Sequence, residues 1–183
     1  MKKIILKKKN VFLKTLDIND YSNKYQKWLN DKDVNKYLET RFRKNNKKDI
    51  INFIKTNKIS KENYLFGIFI DELSLSKHVG NIKIGPINFN HKYANVSYFI
   101  GEKKSWGRGY ASLAVNLITS YAFNKLKLNK CLAGVYSSNI GSIKVLKNNG
   151  YLKEANFKSQ LKLGKIYEDE YVFSCYKKSF KEL

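Results

Sequence analysis

The chain has 183 residues, a length that suits one domain over 1–183 and leaves little room for two. Hydrophobic residues make up 43%, which excludes global disorder. No run of about 18 apolar residues exists to span a membrane, and the apolar stretch after Met1-Lys2-Lys3 is too short for a signal-peptide core, so a cytoplasmic location is expected.

The formal net charge of +21 points, taken alone, to nucleic acid or another polyanion. Only Arg41, Arg43 and Arg108 among the 36 basic residues are arginine, however. Bidentate readers of bases lean on arginine. Lysine, asparagine and isoleucine are abundant throughout and Pro86 is the one proline, as AT-rich coding bias produces. Nucleic acid is therefore disfavoured as a partner, and an anionic small molecule is retained.

In chain order, Val11 to Leu16 alternates apolar and polar residues and predicts a first strand. Asp17 or Asn19 is placed to cap a helix over Asp20–Asn30, where Tyr21, Tyr25, Trp28 and Leu29 recur at helical spacing. Asp31–Leu38 continues that spacing, with Trp28 and Tyr37 expected in the core. Glu39–Arg43 holds two of the three arginines. It reads as a solvated turn or, since arginine forks carboxylates and phosphates, as a contact to an anionic substrate. Asn46–Lys58 predicts a third helix. Tyr64–Ile70, His78–Gly85 and Ala94–Ile100 predict an antiparallel meander, with a polar turn at Asp71–Lys77 and a connection at Pro86–Lys92. Ala111–Leu126 is a strong helix and Cys131–Tyr136 a buried parallel-type strand. Asn139–Asn149 is a short helix closed by Gly150, and Tyr151–Ala155, Phe157–Lys162 and Lys165–Tyr176 supply the last strands. Cys131 and Cys175 sit in apolar runs outside any C-x-x-C pair, so neither a disulfide nor a metal site is expected.

Between the meander and the strong helix lies Gly101-Glu102-Lys103-Lys104-Ser105-Trp106-Gly107-Arg108-Gly109. A basic glycine loop at a helix start presents unpaired N–H groups and the positive end of the helix dipole, an arrangement suited to phosphate. It is no P-loop, since G-x-x-x-x-G-K-[ST] is absent, and Gly107-Arg108-Gly109-Tyr110-Ala111-Ser112 fails the dinucleotide fingerprint at its sixth position.

Lys104-Ser105-Trp106-Gly107-Arg108-Gly109 resembles the Q/R-x-x-G-x-G/A motif of the GNAT superfamily of N-acetyltransferases. Trp106-Gly107-Arg108-Gly109-Tyr110-Ala111 is similar to the branch that acetylates ribosomal-protein N-termini and amino sugars. Lys104 replaces the usual Gln or Arg and keeps a positive donor. Asn139-x-x-Ser142 before Asn149-Gly150-Tyr151 resembles the family's N-x-x-S…(L)GF segment, and Trp28-Leu29-Asn30-Asp31…Val34…Tyr37-Leu38 is typical of the same branch. The resemblance covers about residues 10–178.

It implies a mixed α/β (α+β) fold, with a central, mostly antiparallel sheet of about seven strands splayed at the cofactor site and flanked by helices. It implies acetyl-CoA as cofactor, its pyrophosphate on backbone N–H groups between Lys104 and Ala111, with Trp106, Gly107, Arg108, Gly109 and Tyr110 in that cradle and Lys103 adding charge. The pantetheine arm is implied to lie between Val96–Gly101, at Phe99 and Ile100, and Leu132–Tyr136, held by Asn139, with Ser142 and Lys144 further along. The acceptor is expected to be a primary amine on a small, possibly nucleotide-linked, amino sugar, with Arg41 and Arg43 on its phosphates. A protein N-terminus is the rival acceptor, and a polyanion- or RNA-binding protein on the same fold is the non-enzyme alternative. The oligomeric state is left as monomer or homodimer.

The family's usual carboxylate base and tyrosine acid fall at Asn95 and Leu146, which cannot do that work. Asn95 is kept as a substrate contact that orients water. Glu102, Tyr98 and His91 are the substitute catalytic candidates, each with an ordinary alternative as turn residue, core tyrosine and exposed loop histidine.

Overall fold

The computed structural model describes residues 3–72 and 75–181. One sheet carries Ile5–Lys8 (β1), Val11–Thr15 (β2), Tyr64–Glu72 (β3), Leu75–Asn88 (β4), Tyr93–Ile100 (β5), Lys130–Tyr136 (β6), Leu152–Leu163 (β7) and Ile166–Tyr176 (β8). Their order is β1-β2-β3-β4-β5-β6-β8-β7, and β5/β6 is the one parallel pairing. The alternation of β2 to β5 sends Leu13, Phe66, Ile68, Ile82, Ile84, Ala94 and Val96 to one face, where Tyr110–Asn124 (α4) packs, with Ile140–Asn148 (α5) beside it. Leu16, Leu65, Phe69 and Phe99 face the other way, under Asn23–Asn30 (α1), Lys32–Asn35 (α2) and Lys47–Ile59 (α3). Each fully buried Ile or Phe here contributes roughly 1.5–3 kcal/mol.

Several expectations are corrected. Val11 opens the second strand, because the lysine-rich Ile5–Lys8 pairs with β2 along its edge. Asp17 caps only the 3₁₀ turn Ile18–Asp20, and the Ser22 side chain, accepting from Tyr25 N–H, starts α1. The helix expected over Asp31–Leu38 is cut to α2, since the Asn35 amide turns back to the Leu29 carbonyl at 2.8 Å. Tyr37 is half-buried rather than core, and Glu39–Phe42 forms a 3₁₀ turn. β3 runs to Glu72 and β4 begins at Leu75; the centre of the expected turn, Leu73-Ser74, lies outside the described residues. Pro86 sits within β4, at a bulge where its missing N–H interrupts no ladder. The runs 151–155 and 157–162 form one irregular strand, β7. Cys131 and Cys175 are buried free thiols opposite one another on β6 and β8. No helix among the described residues is long and apolar enough to cross a membrane.

Candidate active site

The site begins where the parallel ladder ends. β5 and β6 are in register at Tyr93/Lys130, Ala94/Cys131 and Asn95/Leu132, and then part. β4 holds β5 as far as Ile100, and β8 holds β6 as far as Tyr136. The facing edges of Val96–Ile100 and Ala133–Tyr136 are thus left without each other. A cleft of 1630 Å³ follows this gap and continues under α1–α3. Asn95 stands at its apex, exposed, and outside the cleft lining.

At the open end of β5 the chain turns sharply. The N–H groups of Gly101 and Glu102 both donate to the Val79 carbonyl, at 2.8 and 3.0 Å, and the Trp106 indole N–H donates to the Ile100 carbonyl at 2.8 Å. Gly107 and Gly109 have φ of +73° and +79°, a region that L side chains rarely adopt. A Cβ on either would meet nothing within 4 Å, so open space adjoins the backbone. Gly109 is the N-cap of α4 and brings no side chain to its first N–H groups, which lack intrahelical acceptors. Fifteen residues of helix dipole point at the same place. The arrangement suits an anion lying against main chain.

The charged side chains of the loop divide. Lys104 is exposed and makes no ion pair among the described residues, and Arg108 lies 3.6 Å from Glu72. Lys103, expected to add charge to the phosphates, instead pairs with Asp31 and Asp33 at 2.9 and 2.6 Å, holding α2 to the loop. Glu102, a catalytic candidate, is bonded to Lys24 at 2.6 Å, which holds its carboxyl below the usual range and makes it a poor base. It does not line the cleft. His91 is exposed in the β4–β5 turn, beside Tyr93 at the far end of β5 from the loop, and is thereby removed from the site.

Tyr98 is placed differently. It lines the cleft on the α5 side, its hydroxyl 2.7 Å from Ser142 Oγ and donating to the Ser142 carbonyl at 3.2 Å. Burial pushes the phenol well above its ordinary pKa, so it keeps its proton at neutral pH. Asn139 caps α5, its side chain accepting from Ser142 N–H at 3.2 Å. Phe99, Ile100, Trp106, Gly107, Gly109, Tyr110, Ala111, Asn139, Ser142 and Lys144 all line the same cleft. Leu146, at the tyrosine position, is core.

Of the two arginines, Arg43 lines the cleft and makes no ion pair among the described residues. Arg41 is absorbed by the fold: its guanidinium donates to the Leu38 and Lys162 carbonyls and to the Tyr136 hydroxyl, and it stacks on Phe42. Its expected contact to substrate phosphate is corrected accordingly.

The opposite wall carries polar residues that no local motif marks. Asn81 and Lys83 on β4 and Ser97 on β5 share a sheet face with Leu65 and Phe99 and line the cleft below α1 and α3. Tyr37 reaches Ser138 Oγ at 3.1 Å, and Glu168 accepts from Ser138 N–H at 3.1 Å, closing the far end. The available signal was the alternation of β4, which sets two polar residues on a face that α1–α3 return to cover.

With this geometry in hand, likeness to known proteins is informative. Residues 10–152 match the model of the acetyltransferase (GNAT) domain. The chain is 34% identical over 114 residues to the probable N-acetyltransferase YjcK of Bacillus subtilis (strain 168), covering 62% of this chain and 61% of YjcK, less than two thirds of its length. It is 28% identical over 170 residues to the uncharacterized N-acetyltransferase p20 of Bacillus licheniformis, covering 92% of this chain and 93% of that one. In fold it is similar to a GNAT-family acetyltransferase from Bacillus anthracis (TM-score 0.80, 22% identity, covering 96% and 99%). It is also similar to spermidine N-acetyltransferase from Vibrio cholerae in complex with CoA and spermine (TM-score 0.82, 16% identity, covering 93% and 97%).

Proposed function

The chain belongs to the GNAT acetyltransferase family, and from that premise we propose that it moves an acetyl group from acetyl-CoA directly to the primary amine of a small molecule, an amino sugar, free or nucleotide-linked, being the first candidate. The observation that carries the reading is the parting of β5 and β6 beneath a helix whose first N–H groups are uncapped. The backbone from Lys104 to Ala111 would hold the pyrophosphate, since open space adjoins Gly107 and Gly109 where a Cβ would intrude. The free edge of Val96–Ile100, with Asn139 opposite, would hold the pantetheine arm. When bound, acetyl-CoA supplies the activated thioester acyl group.

The chain's own residues position and exchange protons. Tyr98 Oη, held by Ser142, is the hydroxyl facing the gap and would hand its proton to the leaving thiolate, a transfer that burial of the phenol opposes and the developing thiolate charge must drive. Glu102 is neutralised by Lys24 and Asn95 cannot accept a proton, so neither serves as a strong base. Rate acceleration then rests on holding amine and acyl carbon together and on main-chain N–H groups at the developing oxyanion. Arg43, free at the cleft, supports an acceptor that carries phosphate.

The test is release of thiol from acetyl-CoA by the purified chain against glucosamine, a nucleotide-linked amino sugar, spermidine and a peptide with a free N-terminus. Acetylation of an amino sugar above the others is the expected result. Preference for the peptide moves the reading to protein N-termini, and preference for spermidine to polyamines. Absence of turnover with every amine sinks it.

A further inference from the structure

The wall of the cleft under α1–α3 is apolar over Leu29, Ile50, Leu65 and Phe99, yet two cationic or donor groups on its sheet face lack adequate partners. Asn81 is 3% exposed. Its Oδ1 accepts from His78 Nε2 at 2.8 Å and the Tyr25 hydroxyl lies beside the amide, while the buried Nδ2 makes no hydrogen bond within 3.5 Å among the described residues. A buried amide N–H₂ left unpaired is uncommon and asks for an acceptor. Two residues along the same strand, Lys83 is half-buried, and among the described residues its one polar side-chain contact is Asn63 Oδ1 at 3.4 Å. Burial pulls its pKa below the ordinary lysine value, as expected where no carboxylate compensates the lost water.

The carboxylates of the cleft are already answered. Asp33 pairs with Lys103, Glu39 lies by Arg41 and the Tyr136 hydroxyl, Asp49 accepts from the Asn46 amide, and Glu170 accepts from the Gln160 amide. None of them pairs with Lys83, which has no anionic partner among the described residues, and an apolar wall strengthens any charge pair formed against it. Resting on the acetyltransferase reading above, we propose that the acceptor amine carries an oxyanion, carboxylate or phosphate, held by Lys83 Nζ and the Asn81 amide, so that Lys83 and Asn81 select anionic amines over neutral and polycationic ones.

The test uses matched amines with the full chain and acetyl-CoA: glucosamine 6-phosphate against glucosamine, L-phenylalanine against phenethylamine, and spermidine. The expected result is a kcat/KM at least tenfold higher for the oxyanion member of one pair, that pair telling phosphate from carboxylate. Lys83→Met should shrink the ratio about tenfold through KM, Lys83→Arg should retain most of it, and both should bind acetyl-CoA with the wild-type Kd. Equal rates within both pairs, or spermidine as the best acceptor, overturn the inference without any variant. A ratio unchanged in Lys83→Met that still binds acetyl-CoA overturns the role of Lys83. Turnover of neutral amines without oxyanion preference leaves the acetyltransferase reading standing, whereas no turnover at all removes both.

Discussion

On the α4 side of the cleft the polar groups left open belong to the main chain: the uncapped N–H groups after Gly109, the left-handed turns at Gly107 and Gly109, and the free edge of β5. On the α1–α3 side they belong to side chains: Asn81, Lys83, Ser97 and Arg43, delivered by β4, β5 and the segment before α3. A main-chain site depends on φ and ψ at a few consecutive positions, so one short stretch encodes it. A side-chain site depends on strand register and on how helices return to cover a sheet, so its members are scattered in the sequence. The first kind tolerates exchange of side chains and fails when the backbone is altered. The second kind does the reverse.

The sharpest way to break that contrast is Gly107→Glu. The φ of +73° would cost a non-glycine residue about 1–2 kcal/mol, and open space leaves no clash, so the fold should survive. A carboxylate placed at the anion site should weaken acetyl-CoA at least about 100-fold by calorimetry, with the circular dichroism spectrum retained. Survival of tight binding would mean the loop is not the phosphate cradle. Next in size, Tyr98→Phe should lower kcat about 10- to 100-fold while leaving the acetyl-CoA Kd unchanged, since the ring remains and only the proton donor goes. A change in Kd with kcat intact would make Tyr98 a packing residue.

On the acceptor side the handle is pH. His78 is half-buried between Trp28 and Phe69, and its partial burial pulls the imidazole below the ordinary value of about 6.5. The unfolded chain therefore takes up a proton that the folded chain refuses. Stability should hold at pH 7.5 and fall as pH drops through about 6.5, read as the urea midpoint at pH 7.5 and pH 5.5. A flat profile would show His78 protonated within the fold. Smallest is Lys103→Ala: its pairs with Asp31 and Asp33 are largely exposed, and their removal should leave the urea midpoint nearly unchanged and shift acetyl-CoA affinity by less than about threefold.

The same division explains what the sequence made legible. The meander, the parallel strand and the glycine loop were readable because alternation, helical spacing and a G-x-G turn are local signals. Tyr98 and Asn139, which line the cleft, sit next to those signals. Asn81 and Lys83 were not readable as site residues, since polar positions in a strand ordinarily face water, and only the return of α1–α3 turns that face inward. Glu102 and Arg41 misled for the complementary reason. Each lies near the right place in the chain, but Lys24 on α1, and Tyr136 with the Lys162 carbonyl, claim them through contacts that no local pattern announces.

Trp28 lies directly over Gly101, Lys24 reaches Glu102, and Lys103 reaches Asp31 and Asp33. The loop at the head of α4 and the helices that roof the acceptor wall are thus fastened together at three points. Loop and roof are therefore one cooperative unit, and amide exchange at residues 101–103 should slow and quicken together with that of α1 and α2.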